Sequence, residues 1–384
     1  MIINRPFTGV PYWRLSGFYF LFFITVGIFL PYWSLYLKAI GLDARQIGIL
    51  SAILVFSKVF ISYFWGWIVD HSGHRIRVIQ LASLFSVICF SAALFIQDFL
   101  GLAIILFVFS LFWSASLPQI EAATLTHLGD SSHAYTRIRV WGSISFIITV
   151  WLLGILFEHI SITNVPSLIL GSMVVVWLIS LFIPEQDAIQ HDHNLDSVRT
   201  ILLKPRVLAL FTVCFLMLAS HGPYYTFYSI YLEDNGYAST FIGQMWALGV
   251  IAEVLLFLMM QRLVGIFSLR NLLISSLLLA CLRWFLIGFY VDSILLLIIA
   301  QLFHAATFGI YHAVVIQYIH RIFRGKLQGR GQALYSSVSF GAGMAVGSLV
   351  SGYAWDRAGA MACFAGAAMV ALIAAIIALL WIKD

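Results

Sequence analysis

The chain has 384 residues, of which 62% are hydrophobic and only 10% are Asp, Glu, Lys or Arg. A soluble domain carries about 25% charged residues, so a cytosolic enzyme, a disordered chain and a secreted disulfide scaffold are all excluded. The net charge of +5 comes from 21 basic and 16 acidic residues, a sparse excess that belongs to the loops of a membrane protein rather than to a nucleic-acid surface.

A helix crosses hydrocarbon in about 20 residues. Breaking the sequence at its charge and turn clusters predicts a first group of six spans near 15–37, 46–69, 76–96, 99–121, 138–157 and 164–183. The first is expected to be retained, because Arg5 and Arg14 precede it and no small-residue cleavage site follows. A polar stretch, 184–206, comes next, with Pro184, Glu185, Asp187, His191, Asp192, His193 and Asp196. Six further spans are predicted near 207–231, 240–261, 270–290, 293–315, 332–355 and 360–381. The fold class expected is therefore an all-α membrane protein of twelve transmembrane helices in two pseudo-symmetric halves. These are residues 1–183 and 207–384, joined by a cytoplasmic linker at 184–206. With the N-terminus inside, 16 of the 21 basic residues fall in inner segments, Lys38, Arg45 and Arg357 in outer loops, and Lys58 and Arg283 within spans. That asymmetry places both termini in the cytoplasm.

The two halves repeat one another. Tyr36-Leu37, Gly41 and Ile47-Gly48 recur as Tyr231-Leu232, Gly236 and Ile242-Gly243, each 195 residues on. Ser143, Ser145 and Phe146 recur as Ser337, Ser339 and Phe340, 194 residues on. Parallel repeats of this kind build carriers whose binding site lies between the halves near the bilayer midplane. Lys58 follows Gly48 by ten residues and Glu253 follows Gly243 by ten. One intramembrane charge per half, of opposite sign, is thus expected to face the interface or a partner and not lipid.

Lys58, His221, Glu253, Arg283 and His304 fall close to the middle of their spans, with Glu121 and Arg139 nearer the inner mouth. Burial disfavours the charged form of a carboxylate, which suits Glu253 to taking up and releasing a proton. A guanidinium stays charged and fits either a carboxylate substrate or a neighbouring glutamate, so Arg283 reads as a substrate ligand or as half of a structural salt bridge with Glu253. His304 serves a proton relay, a substrate hydrogen bond or helix packing, and His221 reads more simply as packing. The aromatic residues Tyr224, Tyr225, Tyr228 and Tyr231, with Trp246 seven residues before Glu253, offer ring faces for stacking. The cations Lys58, Arg139 and Arg283 outnumber the anions Glu121 and Glu253 by one, an excess suited to a carboxylate in a site of low dielectric.

No metal, disulfide or nucleotide chemistry is indicated. Cys89, Cys214, Cys281 and Cys363 stand singly in apolar runs, no GxxxxGK[ST] occurs, and His191-x-His193 is the nearest approach to a metal pair.

After the second span the sequence reads Gly66-Trp67-Ile68-Val69-Asp70-His71-Ser72-Gly73-His74-Arg75. This resembles the Gly-x-x-x-Asp-x-x-Gly-x-Arg loop of the major facilitator superfamily, where it acts as a conformational latch, implying that role for Gly66, Asp70, Gly73 and Arg75. Ser220-His221-Gly222-Pro223-Tyr224-Tyr225, Trp246 to Glu253, Arg283-Trp284 and Gly331-Gln332-Ala333-Leu334-Tyr335 bring the resemblance, over essentially the whole chain, to the phenylpropionate permease branch. Lactose permease is a similar cousin. Its glutamate ending the fourth span and its arginine before x-x-Gly in the fifth look matched by Glu121 and Arg139 with Gly142. Its eighth-span glutamate, ninth-span arginine and tenth-span histidine look matched by Glu253, Arg283 and His304. Thr307 stands where that protein has a second tenth-span glutamate, and Phe146 replaces its sugar-stacking tryptophan.

The resemblance implies a monomeric, proton-coupled carrier of the bacterial inner membrane that works by alternating access without a cofactor. Its implied substrate is a small organic acid such as phenylpropionate; the alternative is a sugar or nucleoside symporter. Glu253 and His304 are the implied proton-coupling pair. The substrate-binding set is Arg283, Lys58, Arg139, Glu121, Trp246, Phe146, Tyr224, Tyr228 and His221.

Overall fold

A computed structural model describes residues 9–185 and 196–383; Arg5 and the His191-x-His193 pair lie outside them. The helices are α1 (Tyr12–Ala39), α2 (Ala44–Phe56), α3 (Ile61–Ser72), α4 (Arg75–Ser91), α5 (Phe99–Leu128), α6 (Tyr135–Leu156), α7 (Val165–Ser180) and α8 (Asp196–Leu202). They continue as α9 (Pro205–Ser220), α10 (Gly222–Asp234), α11 (Ser239–Ile266), α12 (Leu269–Phe289), α13 (Ile294–Leu302), α14 (Tyr311–Ile322), α15 (Gln328–Ser336) and α16 (Met344–Trp381). Local chemistry sets several starts. Asp43 accepts the Gln46 N–H at 2.7 Å while Gln46 Oε1 accepts the Asp43 N–H at 3.1 Å, a reciprocal cap on α2. Asp98, Ser268 and Ser293 cap α5, α12 and α13 through their side chains. Gly73 ends α3 at φ 70°, a conformation open to glycine at no steric cost.

Among the described residues, ten helical runs are long and apolar enough to cross a membrane, or eleven when the bent pair Ala44–Val59 and Tyr63–Ser72 counts as one. The last run, Gln328–Trp381, has 54 residues, and its helical path breaks at Gly359 (φ 80°, ψ 177°). Large apolar side chains such as Phe95, Leu258 and Leu380 point outward, an exterior suited to hydrocarbon.

The second and seventh spans differ from the continuous helices expected. The second breaks at the tight turn Ser57–Val59, where a Cβ on Gly341 would lie 2.9 Å from Val59 Cγ2 and 3.0 Å from its N. Backbone is packed close to backbone there. The seventh breaks at His221, because Pro223 lacks the N–H that would continue the turn. Residues 305–310 and 337–343 form π-helical turns, a geometry frequent at functional sites. The polar stretch contributes α8.

Residues 9–185 and 196–383, here the N- and C-terminal segments, meet at one end of the bundle. Lys38 Nζ bridges Glu233 at 2.7 Å and Asp234 at 2.5 Å. The Thr240 N–H donates to Glu158 Oε1 at 3.2 Å, and these bonds from Thr240 hold the Glu158 carboxyl below the usual carboxylate range. Glycines then allow two backbone crossings. A Cβ on Gly48 would lie 2.7 Å from Gly352 Cα, and one on Gly243 would lie 2.2 Å from the Val150 carbonyl oxygen. Gly48 and Gly243, related by the sequence repeat, thus serve corresponding crossings, α2 on α16 and α11 on α6. At the opposite end, α3 packs mainly on α5 and α4, and α15 on α14 and the Ser337–Gly343 turn, each within its own segment.

The crossing gives a direct test. Gly243→Ala should lower stability by about 1–3 kcal/mol through overpacking and raise maleimide labelling of a Thr240→Cys reporter several-fold. Gly171 is helical with nothing within 4 Å of a built Cβ, so Gly171→Ala should leave both the melting temperature and the labelling essentially unchanged.

Candidate functional site

Arg283 is the fixed point of the site. It projects from the middle of α12 and is fully buried. Its Nη1 donates to His304 Nδ1 at 3.0 Å and to Thr307 Oγ1 at 3.1 Å, and its Nη2 donates to Gln301 Oε1 at 3.0 Å. All three partners are uncharged as acceptors. Among the described residues no carboxylate lies within ion-pair distance of it. The guanidinium also lies 4.2 Å from the Tyr224 ring centre and 4.7 Å from that of Trp284, and cation–π attraction offsets part of its desolvation.

Tyr224 and Tyr228 come from α10, Trp246 from α11 and Trp284 from α12. Tyr224 packs on Trp246 at 4.9 Å and on Tyr228 at 4.9 Å between ring centres. Trp246 donates to Ser229 Oγ at 2.9 Å and Trp284 to Ser220 Oγ at 3.2 Å, which fixes both indoles. Tyr224 shares the Gln301 Oε1 acceptor at 3.3 Å. Three buried polar atoms in this cluster have no hydrogen-bond partner among the described residues: Arg283 Nε, Gln301 Nε2 and the Tyr228 hydroxyl. Donors left unused beside an unneutralised guanidinium match the hydrogen-bonding needs of a two-oxygen anion.

His304 connects this cluster to Glu253. Because Arg283 can only donate, His304 Nδ1 must accept, so the neutral ring carries its proton on Nε2. That nitrogen faces Glu253 Oε2 at 3.6 Å, beyond hydrogen-bond length but closed by a shift of half an ångström or by one water. Two glycines permit the approach. A Cβ on Gly249 would meet the His304 ring at 3.3 Å, and one on Gly309 would meet Glu253 Cγ at 3.4 Å. The simple Arg283–Glu253 salt bridge is therefore not what forms; a histidine is interposed.

The remaining expected residues fall elsewhere. His221 Nδ1 donates to the Met217 carbonyl oxygen at 2.8 Å and the ring packs edge-on to Trp284 at 4.8 Å, which sets it behind the aromatic wall. Tyr231 reaches the Gly288 carbonyl, away from Arg283. In the N-terminal segment, Arg139 pairs with Glu121 at 3.8 Å and lies over the Phe23 ring at 4.1 Å. A Cβ on Gly142 would come within 2.8 Å of the Arg139 guanidinium, so the glycine is what lets that side chain fold back. Arg139 is close enough to Glu253 and His312 to act on both electrostatically. Phe146 is buried in the core. Lys58 lies in the turn that breaks the second span, its carbonyl accepting from Ser337 at 3.4 Å, and it makes no ion pair with Glu253 among the described residues. In the loop after α3, Arg75 interacts with Asp70 and Glu185, while Glu185 accepts the N–H groups of Ile76 and Arg77 at the start of α4.

Gln301 and the role of Glu185 were not visible in the sequence. A neutral amide in a span carries no charge signal, although Gln301, His304 and Thr307 recur at three-residue spacing on one helix face.

Residues 12–366 match the MFS_1 like family. The chain is 31% identical over 354 residues to the "Probable 3-phenylpropionic acid transporter" of Escherichia coli (strain K12), covering 90% of this chain and 92% of that protein. It is 24% identical to "Maltose permease" of Geobacillus stearothermophilus, over 88% and 86%. The crystal structure of the nucleoside transporter NupG superposes with a TM-score of 0.83 at 17% identity, covering 97% of this chain and 99% of that one, a likeness of fold.

Proposed function

The chain belongs to the MFS_1 like family, and from that premise we propose that it is a proton-coupled carrier taking up a small aromatic carboxylic acid of the phenylpropionate kind. It is an integral membrane transporter and not an enzyme, as are its relatives. One observation carries the substrate reading: a fully buried arginine, bound only to neutral acceptors, with unused donors beside it and Tyr224, Tyr228, Trp246 and Trp284 around it. A carboxylate supplies the missing negative charge and an aromatic ring fills the wall. The name of the Escherichia coli relative supports the same class.

In this reading there are twelve spans. As one helix the 54-residue run would measure about 80 Å, far beyond a hydrocarbon core of about 30 Å, so it is divided at Gly359. Residues 1–183 and 207–384 form the two halves around the linker 184–206, with both termini cytoplasmic in the inner membrane and the carrier a monomer. The Lys38 end then faces outward, and the structure is the state closed to the outside. Glu253 and His304 carry the proton, Arg283 binds the carboxylate, and Gly66, Asp70, Gly73 and Arg75 form the cytoplasmic latch. Lys58, Arg139, Glu121, Phe146 and His221 complete the substrate path from the N-terminal half and the aromatic wall.

Proteoliposomes with an inward proton gradient should accumulate labelled 3-phenylpropionate, and collapse of the gradient should abolish accumulation. Benzoate-like acids should compete, whereas maltose and nucleosides should not. Competition by the sugar or nucleoside alone would favour a neutral-ring substrate, the reading to which the stacked Tyr224 and Trp246 also lend themselves.

A further inference from the structure

Away from Arg283, a cavity of about 740 Å³ opens where the start of α9 meets the ends of α14 and α16, within the size range of about 300–1,000 Å³ usual for small-molecule sites. Its rim carries Lys204, Arg206, Arg321 and Lys383. All four are exposed, and no acidic residue lines the cavity among the described residues. Among the described residues none of the four has an ion pair. The first turn of α9, at Lys204 and Arg206, has no side-chain cap, so the positive end of that helix adds to the field. The carbonyls ending α16 would oppose an anion, but Arg270 offsets them, bonding Leu379 O and, just past the helix, Ile382 O at 2.8 Å each. On the side facing away from the bundle, Leu380 is 68% and Trp381 51% exposed, the amphipathic pattern of a membrane boundary.

We propose that this cavity binds the phosphate headgroup of an anionic phospholipid, with Lys204, Arg206, Arg321 and Lys383 around the phosphodiester and the acyl chains along Leu380 and Trp381. Charge and position together favour a lipid. A free phosphate would satisfy the four cations but leaves the apolar flank uncovered, whereas a lipid satisfies both. Basic pockets between spans at a membrane surface recognise headgroups through this combination. The site is distinct from the carrier reading and does not depend on which substrate is moved, only on this end lying at a leaflet surface.

The full-length protein, released from micelles containing phosphatidylglycerol or phosphatidylcholine and weighed by native mass spectrometry, tests the assignment. Phosphatidylglycerol should be retained at least about tenfold more than phosphatidylcholine, and Arg206→Gln/Arg321→Gln should lose about tenfold of that retention. Arg262→Gln, an exposed arginine at the same end, should retain it within about twofold. Melting temperatures matched to the parent protein establish that the variants are folded. Equal retention of both lipids, or equal loss in the Arg262 variant, would overturn the proposal. So would displacement of phosphatidylglycerol by millimolar inorganic phosphate that itself binds the parent but not the double variant, since the ligand would then be the free anion.

Discussion

Replacing Arg283 with alanine should weaken binding of the aromatic acid by at least about 3 kcal/mol, roughly a hundredfold, since charge-assisted hydrogen bonds contribute about 1.5–3 kcal/mol each. Arg283→Lys should fail to restore it. The guanidinium reaches Gln301, His304 and Thr307 at once, and a lysine ammonium on its single stem cannot hold that fork or present a flat pair of donors to a carboxylate. Calorimetric titration of the solubilised variants with 3-phenylpropionate measures the loss. Arg283→Lys keeps the buried positive charge, so weak binding in that folded variant separates lost geometry from lost charge. Unchanged affinity in either variant would remove Arg283 from the substrate site.

Glu253→Gln should reduce the accumulation ratio of the carrier to about one while leaving substrate exchange within about threefold of the parent. Glutamine keeps the shape of the side chain and removes the group that can exchange a proton with His304 Nε2. The tautomer of His304 gives this outcome its logic. Arg283 occupies Nδ1, so Nε2 is the nitrogen open to Glu253. In the proposed mechanism a substrate carboxylate would claim Arg283, Nδ1 would be released and the ring could change protonation, linking the two ligands through one imidazole. Uptake against a gradient that persists in Glu253→Gln would take Glu253 out of the proton path. Flow measurements under an imposed pH difference, with and without substrate inside the vesicles, distinguish accumulation from exchange.

The grouping of Glu253, Arg283 and His304 was legible because ionisable residues are costly within a span and stand out against an apolar background. The aromatic wall followed from the same region of α10 and α11. What could not be read was contact between spans. His304 stands between Arg283 and Glu253, an order that the residue types leave open. Gln301 is neutral and offers no such contrast. The break at Ser57–Val59 has no proline or glycine of its own, and it lies against the Gly341 backbone 282 to 284 residues further on. The break at His221 did have a local signal, Gly222-Pro223, masked by the apolar run on either side. Glu185 caps α4 from far along the chain, a pairing that only the folded path creates.

The paired crossings at Gly48 and Gly243 bear on how fast such a molecule can turn over. Where side chains interdigitate, separating two helices requires rotamers to change in step, and each change adds to the barrier. At these two points glycine brings main chain close to main chain, with the Tyr32 hydroxyl, bound to the Val150 carbonyl at 2.6 Å, beside the second, so few side chains have to change rotamer there. To this packing the same end adds replaceable polar ties, Lys38 with Glu233 and Asp234, and Thr240 with Glu158. In the proposed alternating-access carrier, the rate of opening would then be adjustable by surface charge with little change to the packed interior.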